Sequence, residues 1–182
     1  LEIYFAPRPS IPLIEIELLL TCAGGDQNPP DRPGLSYFAA ALLDEGTVGR
    51  SGPELVADIE RRGGALGSSA DWNAASIRIS IPSSEVQFGF DLLREVALEP
   101  SFPAHELERI RRQSLANLAR RFDHPAGLAE EAFARTLYAG TVHSELLLGS
   151  AESVAAISRE EVVRFHHSNQ LRLGARLIVA GD

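Results

Sequence analysis

The 182 residues carry 45% hydrophobic and 23% charged side chains, an ordinary globular composition that supports one sizeable core and one domain. A formal net charge of −8 and a pI near 5.1 argue against nucleic acid, whose phosphates demand a concentrated basic surface. No apolar run approaches the ~20 residues that cross a bilayer, and Ile11 to Leu20 is broken by Pro12, Glu15 and Glu17.

Leu1 opens directly onto a strand-like segment without a signal-peptide pattern, which leaves the compartment open. Leu1–Phe5 and Pro12–Cys22 alternate in the manner of strands, with Arg8-Pro9-Ser10 as the turn between them. The single cysteine, Cys22, excludes an internal disulfide and a multi-cysteine metal cage, and at the end of an apolar strand it reads as a small buried hydrophobe. After a polar loop from Gly24 to Pro33, Leu35, Phe38, Ala39 and Leu42 fall at i, i+3, i+4 and i+7, a helix that Gly46 stops. Ser51 and Glu54 form a capping-box pattern opening a second helix, which Gly63-Gly64 closes. Ala65–Asp71 and Ala74–Pro82 read as a hairpin joined at Asp71-Trp72-Asn73.

Ser84-x-x-Gln87 is predicted to cap a helix to about Leu98. Phe102-Pro103 starts another helix, to about Phe122, and Pro125 begins a third, to Tyr138. Ser158-x-x-Glu161 caps a final helix ending near His167, and Arg176–Val179 closes the chain as a strand. Strands, a helix pair, a hairpin and then helices make an α+β fold, a mostly antiparallel sheet covered by helices. Residues 1–182 are expected to be one domain, truncated at its C-terminal end and cut from a longer two-domain chain.

Residue chemistry offers no obvious active site. His105, His124, His143, His166 and His167 include no pair at i, i+3 or i+4, the spacings that aim helical side chains at one metal. His166 and His167 read as last-turn residues interacting with the helix dipole, and His124 as loop chemistry before Pro125. The serines sit in caps (Ser51, Ser84, Ser158) or on strands (Ser68, Ser69, Ser76, Ser80), with no nucleophile elbow. No phosphate-loop pattern follows Gly63-Gly64. Asp44 and Glu45 end a helix pointing apart, which disfavours a proton-sharing dyad. Arg109, Arg111, Arg112, Arg120 and Arg121 read as a solvated helix face with Glu106 and Glu108 as neighbours.

One segment carries more. Gly34-Leu35-Ser36-Tyr37-Phe38-Ala39-Ala40-Ala41-Leu42-Leu43-Asp44-Glu45-Gly46-Thr47 resembles the signature helix of the insulinase/pitrilysin zinc peptidases, in which Gly-Leu leads into His-x-x-Glu-His and an apolar run to Gly-Thr. In that motif two histidines on one helix face hold zinc, and the glutamate between them activates a metal-bound water. Further fragments fit in order: Ser51-Gly52, Gly63-Gly64-Ala65, Glu99-Pro100-x-Phe102, Asp123-His124-Pro125 and Val179-Ala180-Gly181-Asp182.

The resemblance places the three motif positions at Tyr37, Ala40 and Ala41, and the family's third, glutamate ligand at Asn117. Alanine has no ligand atom, and a phenol with pKa ~10 is a poor substitute for imidazole. The resemblance therefore implies a non-catalytic member, with no zinc or other cofactor and Tyr37, Ala40, Ala41 and Asn117 as a vestigial pocket. It further implies a partner: an active zinc peptidase, as separate subunit or fused second half, enclosing an unfolded peptide, with dimerisation and a bacterial periplasmic or envelope location. A purely structural subunit of a larger complex is the alternative, and a metallopeptidase with a displaced metal site ranks last.

Overall fold

The computed structural model describes residues 1–123, 125–170 and 174–182. Strands β1 (Glu2–Pro7), β2 (Leu13–Leu20), β3 (Ala65–Ala70), β4 (Ala75–Pro82) and β5 (Ala175–Gly181) form one sheet in the order β1-β5-β2-β4-β3. Every pairing is antiparallel except β1 with β5. The helices are α1 (Leu35–Ala41), α2 (Gly52–Arg61), α3 (Val86–Leu98), α4 (Ala104–Arg120), α5 (Pro125–Leu137), α6 (Ala151–Ala156) and α7 (Arg159–Phe165). The α+β class and mostly antiparallel sheet are those the sequence predicts.

Alternation in β2 and β4 decides which face meets the helices. Ile14, Ile16 and Leu18 register against Ile81, Ile79 and Ile77, and together they turn one apolar face towards the helical layer. Ile16, Ile77, Ile79 and Ile81 are wholly or almost wholly buried, each contributing about 2 kcal/mol of transfer free energy. The opposite face carries Glu15, Glu17, Arg78 and Ser80. There Arg78 Nε donates to Glu17 at 2.9 Å and the Ser80 hydroxyl donates to Glu15. Helix α3 lies over β4 and β2 on the apolar face, with buried Gly89 at the approach. A Cβ there would stand 3.1 Å from Ile16 Cδ1 and 3.2 Å from Ile81 Cγ2.

Several local expectations need correction. Arg8-Pro9-Ser10 does not join paired strands, because β5 lies between β1 and β2 and bonds both. Periodicity marks β1 and β2 as strands but carries nothing about a third strand arriving between them. Ser84 sits inside a 3-10 turn, Ser83–Glu85, and makes no cap bond; α3 starts at Val86. Helix α4 stops at Arg120 and passes into a 3-10 turn, Arg121–Asp123. Helix α6, a two-serine box on Ser150 and Ser153, was not expected at all. Helix α7 begins with the predicted box, Ser158 accepting from the Glu161 N–H, but ends at Phe165 and opens into a wide π turn over His166–Gln170. His124 lies outside the described residues.

His166 stands at the C-cap of α7, at the helix end as expected, but it is buried. It is 2% exposed, with its ring edge-on to Phe102 at 5.3 Å between centroids. Arg111 also departs from the solvated-face reading: its guanidinium donates to the carbonyls of Val154 and Ile157, closing the C-terminal end of α6. Cys22 is only half-buried.

Candidate functional site

Helix α1 is short and fixed at both ends. Gly34 enters it at φ 97°, where a Cβ would meet the Leu148 carbonyl at 2.5 Å, so glycine is required on steric grounds. Asn28 Oδ1 accepts from the Ser36 N–H at 2.7 Å and satisfies one of the orphan donors of the first turn. At the other end Ser68 Oγ on β3 lies 2.7 Å from both the Ala40 carbonyl and Asp44 Oδ1. Burial pushes the Asp44 carboxyl above its usual range, with the Ser68 hydrogen bond opposing.

Asp44 and Glu45 do diverge. Glu45 reaches the Arg109 guanidinium on α4, which also holds Glu106; burial nonetheless raises the Glu45 carboxyl, against the pull of Arg109. Beyond Gly46 the chain turns on a compact ionic clamp. Arg50 Nε donates to Glu95 at 3.1 Å, Arg50 Nη1 donates to Asp58 at 2.9 Å, and Thr47 Oγ1 donates to Glu95 at 2.5 Å. The Arg50 hydrogen bond holds the Glu95 carboxyl below the usual range.

The predicted site positions lie on facing elements, since α1 packs against α4. Tyr37 is half-buried against the core, its ring edge-on to Phe38. Ala40 is 0% exposed and Ala41 is half-buried. Asn117 on α4 is half-buried, and its Oδ1 accepts from Arg120 one turn on. A zinc ion here would need imidazole, thiolate or carboxylate donors. Two alanines supply none, and the Asn117 oxygen is already engaged, so these residues do not fit the metal. Among the described residues no cluster of three or more His, Cys, Asp or Glu could hold a metal ion.

Beside α1, β3 forms an outer edge of the sheet, paired only to β4 among the described strands. An outer strand of this kind can pair with an added strand through its outward amides and carbonyls, although the Ser68 N–H is already bonded to the Asp44 carboxyl. The β3–β4 turn carries Trp72, half-buried, with the His143 ring 4.9 Å from it edge-on and Tyr138 beyond at 6.0 Å. Sequence reading missed this aromatic group, whose members lie on three distant segments with no local spacing to betray them.

Helix α1 thus packs both on β3, at one edge of the mostly antiparallel sheet, and against α4 in the helical layer. The family model "Insulinase (Peptidase family M16)" matches residues 17–150, and the chain belongs to that family. An uncharacterized zinc protease of Mycobacterium tuberculosis is 25% identical over 133 residues, covering 73% of this chain and 30% of that protein. The crystal structure of a peptidase M16 inactive domain from Pseudomonas fluorescens superposes with a TM-score of 0.93 at 25% identity, covering 99% of this chain and 44% of that one. The periplasmic protease PqqL of Escherichia coli shares the fold at TM-score 0.83 and 16% identity, covering 98% of this chain and 21% of its own. The chain thus spans less than half the length of each of these relatives.

Proposed function

We propose that this chain is a non-catalytic M16 domain that pairs with an active zinc peptidase, as fused half or separate subunit, to enclose an unfolded peptide. The reading is supported by α1 packing against α4 with Tyr37, Ala40 and Ala41 on the one helix and Asn117 on the other, residues that the motif resemblance aligns with the family's ligands and base and that offer no set of metal donors. The open edge of β3 supports a retained role in holding peptide, since strand addition uses backbone groups and needs no metal. The Pseudomonas domain of the same fold is itself described as inactive, which supports loss of hydrolysis without loss of the scaffold. An envelope location is supported by the periplasmic placement of the Escherichia coli relative. No described helix is long and apolar enough to cross a membrane.

The test combines metal analysis of protein purified without a metal-affinity tag, a peptide-cleavage assay with added zinc, and co-purification with a candidate partner retaining His-x-x-Glu-His. The reading expects no stoichiometric zinc, no chelator-sensitive cleavage by this chain alone, and a stable pair. One zinc per chain with cleavage abolished by o-phenanthroline would overturn it. A stable complex that neither binds nor encloses peptide would favour the purely structural subunit.

A further inference from the structure

We propose that the aromatic group at the end of β3 is a subsite for a basic side chain, arginine or lysine, of the extended peptide. The proposal rests on the peptide-holding reading above and adds to it a preference of substrate class. Trp72 follows β3 by two residues, in the turn at the end of the edge strand, where it meets Gly25 and the His143 ring. Beside it Trp72, Tyr138 and His143 line a cavity of about 670 Å³, large enough for a guanidinium and its aliphatic stem. The rings supply π faces and edges, and Tyr138 is half open to solvent at 45% exposure.

The charge lining the same cavity selects the sign of the ligand. Glu130, Glu131, Glu145 and Arg121 border it. Arg121 is paired with Glu131 at 2.7 Å, and Glu131 also binds Arg135 at 2.8 Å. Glu130 and Glu145 form no ion pair among the described residues, so the cavity presents two uncommitted carboxylates beside aromatic faces. A cation over an indole or phenol face with a carboxylate in reach is favoured by ring quadrupole and charge together; an anionic side chain is repelled by both. An arginine stem would also cover the apolar parts of Leu146 and Leu147 at the cavity wall.

The experiment measures binding of dye-labelled, unstructured ten-residue peptides to the full protein by fluorescence anisotropy. One peptide carries a single arginine; its match carries citrulline, equal in shape but uncharged. The expected result is at least about fivefold tighter binding of the arginine peptide, with the preference lost in Tyr138→Ala and in Glu145→Gln while the citrulline affinity stays put. Equal affinities for the two peptides, or a preference that survives both substitutions, would overturn the proposal. If neither peptide binds, the peptide-holding reading fails, and N-acetylarginine methylamide decides the subsite separately. Quenching of the fluorescence component that Trp72→Phe removes, by this compound and not by its citrulline analogue, upholds it. No quenching overturns it.

Discussion

The turn after α1 is tied to α3 through one carboxylate, Glu95. Glu95 accepts from Arg50 and Thr47 at once, so Glu95→Ala removes both bonds, leaves Arg50 held by Asp58 alone, and is expected to cost about 1–2 kcal/mol, read from urea midpoints. Its pH sign follows from the lowered carboxyl. The stabilisation is fully present above the unfolded carboxylate range and is lost as the pH falls through the lower native value. Asp44 has the opposite sign. Burial raises its carboxyl, so the native state holds the proton more tightly than the unfolded chain, and stability declines as the pH climbs from the ordinary aspartate range to the raised native value. Asp44→Asn keeps an acceptor for Ser68 and removes the charge. The variant is expected to gain on the parent in urea midpoint as the pH is raised from about 4 to 7, and an unchanged difference across that range would refute the assignment.

At the scale of elements, the contact of α3 with the sheet is set by Gly89. Alanine there gains about 1 kcal/mol of helix propensity and must move the tips of Ile16 and Ile81 by a few tenths of an ångström, so Gly89→Ala is expected to be close to neutral. Gly89→Val adds two methyl groups where no space exists and is expected to cost about 2 kcal/mol or more; thermal melts of the pair separate the two effects. The sequence read this layer well, since Ile77, Ile79 and Ile81 alternate with polar residues and the capping boxes at Ser51 and Ser158 state their own helix starts. Local pattern failed where the decision is made at long range. Nothing near Arg8 indicates that β5, far along the chain, will separate β1 from β2, and nothing near His166 indicates its burial against Phe102. The site divided in the same way. Motif and order single out Tyr37, Ala40, Ala41 and Asn117 as the positions to inspect, whereas the meeting of Trp72, Tyr138 and His143 depends on tertiary packing.

For the molecule as a whole, the two sheet edges differ. The β3 edge is bounded by α1 and the aromatic cavity. The β1 edge is bare: Ile3 and Phe5 are 65% and 66% exposed on a strand with no outer neighbour among the described strands. An unpaired strand with exposed apolar side chains pairs readily with a second chain. The isolated 182-residue chain is expected to self-associate with rising concentration, and Ile3→Lys combined with Phe5→Lys to shift it towards monomer in sedimentation velocity. An unshifted distribution would remove β1 from any role in that association.

The place of β5 also governs how the molecule comes into being. The hairpin of β3 and β4 can zip onto β2 as soon as residue 82 has left the ribosome, but β1 has no strand to join until residues 175–181 appear. While the intervening residues are made, β1 must therefore wait, apolar and unpaired, for β5. Such a chain folds late and through a long-range closure, and its dependence on chaperones should concentrate in that waiting segment rather than in the helices that follow it.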